Sequence, residues 1–387
     1  MKIALFAAFL ILVPSGALAA ESIRVLVFPH ILRYATPQGR ETRITEVSLR
    51  TAGVCVATPL TGGATQASST LNFRFETTPD PIFVECTQPA TVVRENGVPS
   101  YSYSGTFRVE RSTDPSLPAH LMVVNSIDLE TYLEGVVPTE MPASWNAEAL
   151  KAQAVAARTY AHWELALSRS APRHPSYDFD DTVQYQAYLG VFSPALPSTE
   201  QAVRLTKGQV LVGADAIPIK AYFHADSGGH TEDASNFFPD SPSPTCIGKP
   251  EVYDPATAPP AWTVTLELAE ASSRLVAAGA FPATEKLASL EVDETTRFKS
   301  GRANRVKARL MSGRELWLGA EPTRYALKLR STLFELKRQG TNLVFNGRGY
   351  GHGVGMSQWG ARLLADQSRW DYGRILEFYY TGAKIVR

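Results

Sequence analysis

Three short segments carry the side chains best suited to chemistry. Gly135-Val136-Val137-Pro138-Thr139-Glu140-Met141-Pro142 sets one carboxylate between two prolines, just ahead of an alanine-rich stretch. Proline fixes φ on either side, so the expectation is a rigid turn that holds the acid in one place. The apolar neighbours Val136, Val137, Met141 and Trp145 would strip water from the carboxylate and raise its pKa, as a general acid at neutral pH requires. The same spacing suits a first-turn acid that serves only a helix dipole, so two roles stay open for Glu140.

A second constellation runs from Tyr222 through His224, Asp226, Ser227, Gly228, Gly229 and His230 to Glu232. Paired glycines let a ligand approach backbone N–H groups, and histidines six residues apart across a loop can converge on one point. With Cys246 they offer ligand types that zinc accepts, although the spacing matches no tight zinc motif and loop histidines are ordinarily solvated. The third segment, Asn346 to Ala361, has glycine at every second position from Gly347 to Gly355. No lysine follows as in a phosphate-binding loop, and no acidic ribose reader lies about twenty residues on in a βαβ setting, which argues against nucleotide binding. Either a close-packed strip displaying His352 and Gln358 beside a cleft or a purely structural glycine kink fits this pattern.

These segments need elements to position them. From Ile23 to about Pro118 short β segments alternate with turn residues: Ile23 to Phe28, Ile44 to Leu49, Leu71 to Glu76 and Tyr101 to Arg111. An apolar run from Leu121 to Val137 follows. Beyond Pro142 the spacing of Leu150, Ala154, Ala157, Ala161 and Leu165 defines a helix face, with Asn146 as N-cap and Glu148 in the first turn. Farther on, Gln209 to Val212 and Ile217 to His224 read as paired strands, and Ala269 to Ala278 as a helix ended by Gly279. Strands are expected at Leu287 to Asp293, Arg305 to Met311 and Glu315 to Leu318, the last two turning at Ser312-Gly313. Strands first, then helices scattered among later strands, indicate a mixed, strand-rich α+β fold. The expected division is a leader at 1–19, a β-rich amino-terminal module at 20–118 and a second, mixed region at 119–387, which holds all three of the segments above.

The amino terminus begins Met1-Lys2, continues with an apolar run from Ile3 to Val13, and ends in Ala17-Leu18-Ala19, the pattern of a secretory signal peptide. A membrane span needs about 20 apolar residues, and no later run is long enough. The expectation is an exported protein, periplasmic or extracellular, without a stable span after cleavage. Lys plus Arg equals Asp plus Glu at 38 each, with charges interspersed, so the electrostatic footprint of a nucleic-acid binder is missing. In an oxidising compartment Cys55 and Cys86 are natural disulfide partners, leaving Cys246 odd.

Four ordered segments resemble the SpoIID/LytB family of cell-wall proteins: Val123 to Ala161, Asp181 to Gly190, Thr206 to Glu232 and Gly347 to Ala361, with a weaker stretch at Ser300 to Arg302 and Leu327 to Phe334. The resemblance implies a peptidoglycan lytic transglycosylase that cleaves between MurNAc and GlcNAc with formation of 1,6-anhydroMurNAc, in the sporulation enzyme on strands stripped of stem peptides. It places the catalytic glutamate at Glu140. Sugar-binding roles then fall to Gln186, Tyr188, Ser227, Gly228, Gly229, His352 and Gln358, with Tyr350 and Trp359 as stacking platforms. Some relatives bind zinc, which implies His224, His230 and Cys246 as ligands. One acid suffices for such an enzyme, whereas an ordinary glycosidase uses two. The LytB side of the family implies a second reading, a non-catalytic glycan-binding enhancer whose partner is a cell-wall amidase.

Overall fold

A computed structural model describes residues 22–27, 45–78, 81–94, 101–112, 120–172, 174–183, 185–192, 194–239, 243–252 and 254–387. The leader at 1–19 lies outside the described residues. The fold is α+β, as expected.

The first strands are β1 (Ser22–Val27), β2 (Glu46–Pro59), β3 (Gln66–Arg74), β4 (Ile82–Cys86), β5 (Ala90–Arg94), β6 (Tyr101–Tyr103), β7 (Thr106–Arg111), β8 (Leu121–Asp128) and β9 (Phe179–Asp180). They form one sheet in the order β6-β5-β2-β4-β7-β8-β1-β9, with β3 on β2. Cys55 and Cys86 face each other across β2 and β4 and are joined by a disulfide. Because β8 pairs with both β7 and β1, the sheet runs without a break across the boundary expected near residue 118.

Asp128 ends β8 and caps α1 (Leu129–Glu140), its side chain accepting from the Thr131 N–H at 3.1 Å. Pro138 lies inside this helix near its end. What stops the helix is Pro142, which pushes Met141 into an extended conformation (φ −131, ψ 136). Glu140 is therefore the last helical residue of α1, a correction to the rigid turn expected from its two prolines. Asn146 caps α2 (Ala147–Ser170) through the Glu148 N–H, and the expected face of Leu150, Ala154, Ala157, Ala161 and Leu165 is buried. Small alanines let α2 pack closely on α1. Arg158, fully buried on α2, grips the Glu130 carboxylate with two bonds of 2.8 and 2.7 Å and fixes one helix on the other.

Next come α3 (Pro197–Leu205), β10 (Val210–Val212), β11 (Phe223–His224) and α4 (Ala234–Phe237). The expected pairing of Gln209 to Val212 with Ile217 to His224 shrinks to one bridge, Val212 to Pro218. Pro218 has no N–H to extend a ladder, and β10 pairs instead with the carboxyl-terminal β19 (Lys384–Val386).

A second hydrophobic core is built from β12 (Trp262–Glu267), α5 (Leu268–Ala277), β13 (Leu287–Val292), β14 (Arg305–Leu310), β15 (Glu315–Gly319), α6 (Ala320–Leu327), β16 (Phe334–Gln339) and β17 (Asn342–Gly347). The expected helix and all three strands are there, with β14 and β15 paired around Ser312-Gly313. Because β12 pairs with β17, the chain enters and leaves this unit through neighbouring strands. It then returns to the main core through β18 (Met356–Ser357), α7 (Gln358–Ser368) and α8 (Tyr372–Tyr379). No helix among the described residues is long and apolar enough to cross a membrane.

Candidate active site

Glu140 stands at the carboxyl end of α1, where the helix dipole disfavours a negative charge. Its Oε1 accepts the Ala187 N–H at 2.9 Å and its Oε2 accepts from Gln358 Nε2 at 3.0 Å. Two elements distant in sequence thus hold the carboxyl group from opposite sides. Burial raises its pKa above the ordinary carboxylate value, and the two hydrogen bonds pull the other way without cancelling the rise. Of the apolar neighbours expected to desolvate it, Val136, Val137 and Met141 are buried in the main core. Gln358 opens α7, where Ser357 is the N-cap and accepts the Gly360 N–H at 3.0 Å. Ser357 in turn pairs with His224 where β18 meets β11 in parallel.

The acid lies in a cleft of about 1030 Å³. One side comes from the main core and includes Thr139, Glu140, Tyr185, Ala187 and Gln358; the other includes Arg324, Tyr325, Lys328 and Leu329 of the second unit. His224, Tyr350 and His352 also line it, so five sequence-predicted groups, Glu140, His224, Tyr350, His352 and Gln358, share one cavity. His224 Nδ1 donates to the Val354 carbonyl at 3.0 Å, leaving Nε2 a buried acceptor with no partner among the described residues. Burial first, then the charges of His352 and Arg302, hold its pKa well below the usual imidazole value. His352 Nδ1 accepts the Val354 N–H at 3.0 Å, and burial with Arg324 and Arg302 lowers its pKa to about 3. Both rings are neutral at pH 7, with centroids 5.4 Å apart.

Other predicted residues lie elsewhere. Tyr188 is in the core, its hydroxyl on Asn125 and its ring 4.7 Å from that of Tyr132, so it supports the loop of Ala187 from beneath. Gln186 is buried with Oε1 unpartnered and is not on the cleft wall. Trp359 packs edge-on against Trp145 rather than facing the cavity. Ser227, Gly228 and Gly229 lie where the second unit docks: Arg302, fully buried, donates to the Ser227 and His230 carbonyls at 2.6 and 2.8 Å. Gly228 (φ +72) brings backbone against backbone, since a Cβ there would sit 2.9 Å from the Gly349 nitrogen. Gly228 thus admits a neighbouring backbone, whereas a Cβ on Gly229 would meet no atom of the described residues within 4 Å. The alternating glycines act similarly, for a Cβ on Gly355 would fall 2.0 Å from the Tyr222 carbonyl oxygen.

His224, His230 and Cys246 are not gathered. Cys246 is buried, its thiol 3.8 Å from the Lys220 carbonyl and its pKa pushed up to about 11 by burial, while His230 Nδ1 meets the Thr231 carbonyl of its own loop. Among the described residues no group of three or more His, Cys, Asp or Glu could hold a metal ion. The ligand set suggested for zinc therefore does not fit this arrangement.

Sequence reasoning missed Ala187, because a backbone donor leaves no trace in residue type. It also missed Lys220 and Glu164, a buried cleft pair at 2.8 Å whose partners lie far apart in the chain. The wall at Arg324 to Leu329 gave only the faint resemblance at its end.

Fold and site together define an α+β protein with one hydrogen-bonded, desolvated acid in a large cleft between two cores. Residues 119–212 match the SpoIID family, described as stage II sporulation protein, and residues 256–355 match a domain of unknown function that coincides with the second core. The chain is 32% identical over 311 residues to stage II sporulation protein D of Bacillus amyloliquefaciens, covering 75% of this chain and 86% of that one. It is 38% identical over 267 residues to an uncharacterized protein of Brachyspira hyodysenteriae, covering 69% and 68%. With the amidase enhancer of Bacillus subtilis it shares 31% identity over 302 residues, 66% of this chain and 40% of that protein. The chain belongs to the SpoIID family.

Proposed function

We propose that this protein is an exported peptidoglycan lytic transglycosylase with Glu140 as its acid and base. The observation that carries the reading is the isolation of Glu140: it is held by Ala187 and Gln358, raised in pKa, and the other cleft carboxylate, Glu164, is neutralised by Lys220. In the protonated form Glu140 gives its proton to the oxygen joining MurNAc C1 to GlcNAc, and the C1–O bond breaks. The carboxylate then takes the proton of the C6 hydroxyl as that oxygen bonds to C1, closing the 1,6-anhydro ring. Atoms balance without water, and the acid is regenerated. A retaining or inverting hydrolase would ask for a second free carboxylate. The disulfide agrees with a place outside the cytoplasm.

The likeness to the amidase enhancer favours a second reading, a non-catalytic glycan binder that acts on a cell-wall amidase. Incubating the purified protein with peptide-free glycan strands and analysing the products by mass spectrometry separates the two. Anhydro-muramyl ends that depend on Glu140 support the enzyme; strand binding without any cleavage supports the enhancer.

A further inference from the structure

Five charged side chains line the cleft: Glu140, Glu164, Lys220, Arg324 and Lys328. Four are accounted for. Lys220 and Glu164 form a buried ion pair, and Lys220 also lies 5.2 Å from the ring of Tyr222. Arg324 is engaged by Glu321, with its Nε 2.8 Å from Oε2, and its Nη1 donates to the Arg330 carbonyl. Glu140 is held by the Ala187 N–H and by Gln358 Nε2. Lys328 is exposed, and its ammonium has no ion pair or hydrogen bond among the described residues. Among the described residues Lys328 is thus the one charged side chain of the cleft that no protein group engages.

Position adds to charge. Lys328 follows α6 in the left-handed conformation (φ +59), a site where glycine or asparagine is the less strained residue. On the same wall Tyr325 is 54% exposed, with the Arg324 guanidinium 4.1 Å over its ring, and Tyr350, also lining the cleft, is 57% exposed; the exposed part of an aromatic ring beside a cleft is suited to contact with sugar rings. We propose that Lys328 is a specificity residue that recognises a carboxylate on the bound strand, with Tyr325 beside it as a sugar-stacking surface. In a muramyl strand that carboxylate is the lactyl group, which is an anion only where no stem peptide is amide-linked to it. The inference rests on the glycan reading of the cleft, and it assigns strand discrimination to the second unit rather than to the one that holds Glu140.

Binding by the Glu140→Gln protein tests it without turnover. Peptide-free strands would be compared with the same strands after reduction of their lactyl carboxyls to alcohols. A partly exposed ion pair is worth on the order of 1 kcal/mol, so the unreduced strands should bind about 3- to 10-fold more tightly at low salt. Adding Lys328→Ala should make the two strand types bind alike, and Lys328→Arg should restore the difference. Raised ionic strength should also narrow it in the Lys328 protein. If the Lys328→Ala protein keeps the preference, or the Glu140→Gln parent binds both strands equally, the role of Lys328 is overturned while the glycan reading stands. If the parent binds neither strand, the glycan reading fails and takes the proposal with it.

Discussion

At the scale of single residues, two carboxyl groups are raised in pKa by burial, one in the cleft and one outside its lining. For Glu140 the expected outcome of the near-isosteric Glu140→Gln change is an intact fold and a loss of turnover near the upper end of the roughly 100- to 10,000-fold range of acid–base catalysis, since one group acts twice. Release of anhydro-sugar products is the measurement, and a rate close to wild type would remove Glu140 from the mechanism. Glu251 is the other case. Its Oε2 accepts from Tyr379 at 2.7 Å, its Oε1 is buried without a partner, and burial pushes its pKa up to about 7 from 4.5. Between those values the folded protein keeps a proton that the unfolded chain releases. Its contribution to stability is full below about pH 4.5, falls as pH rises toward 7, and is flat above, a span of roughly 3 kcal/mol. Thermal melts at pH 5 and pH 8 should therefore show a larger drop for wild type than for Glu251→Gln, and equal drops would refute the assignment.

At the scale of elements, the site depends on how closely three segments approach. Gly135 on α1 lies against the loop that carries Ala187: a Cβ there would meet the Gly190 carbonyl at 2.5 Å and the Tyr188 ring at 2.6 Å. Gly135→Ala should push this loop away from α1, costing about 1 to 3 kcal/mol by overpacking and loosening the Ala187 N–H bond to Glu140. Turnover should fall more than strand binding, and the comparison of product release with a binding titration checks it. A variant that melts lower yet cleaves normally would show that the loop adjusts without moving Ala187. The N-caps at Asp128, Asn146 and Ser357 set where the neighbouring helices begin. Of these, Asn146 was readable in the sequence because an apolar helical period follows it. Asp128 was not, for its helix continues an apolar strand with no turn residue between them.

At the scale of the whole molecule, two cores are joined by a buried arginine and a shared cleft. Arg302 reaches from the second unit to the carbonyls of Ser227 and His230, and Ser300 donates to the Glu232 carboxylate. These bonds fix the wall bearing Tyr325 and Lys328 opposite Glu140. At the far end, the disulfide ties β2 to β4 across a separation of 31 residues. Replacing Cys55 and Cys86 with serine should cost about 3 to 4 kcal/mol in the chain-entropy view, seen as a lower melting temperature. Cleavage at temperatures where the variant is still folded should be unchanged, because neither cysteine lines the cleft. An unaltered melting temperature would mean that the sheet alone holds these strands.

Local patterns were sufficient for much of this. The alanine face of α2, the helix ended by Gly279, the Ser312-Gly313 turn, the Cys55 and Cys86 pair and the candidacy of Glu140 follow from period, turn chemistry and residue type, all of which act over a few positions or within one compartment. Tertiary structure decided the rest. Whether a glycine such as Gly228 admits a ligand or a neighbouring backbone depends on what packs against it, and here that is the backbone at Gly349. Tyr188 and Ser227 look like sugar contacts by type, yet burial makes them supports. Ala187, the Lys220 and Glu164 pair and the free charge of Lys328 become meaningful only when distant segments meet, because hydrogen bonds and charge balance in a cleft belong to the assembled surface and not to any stretch of chain.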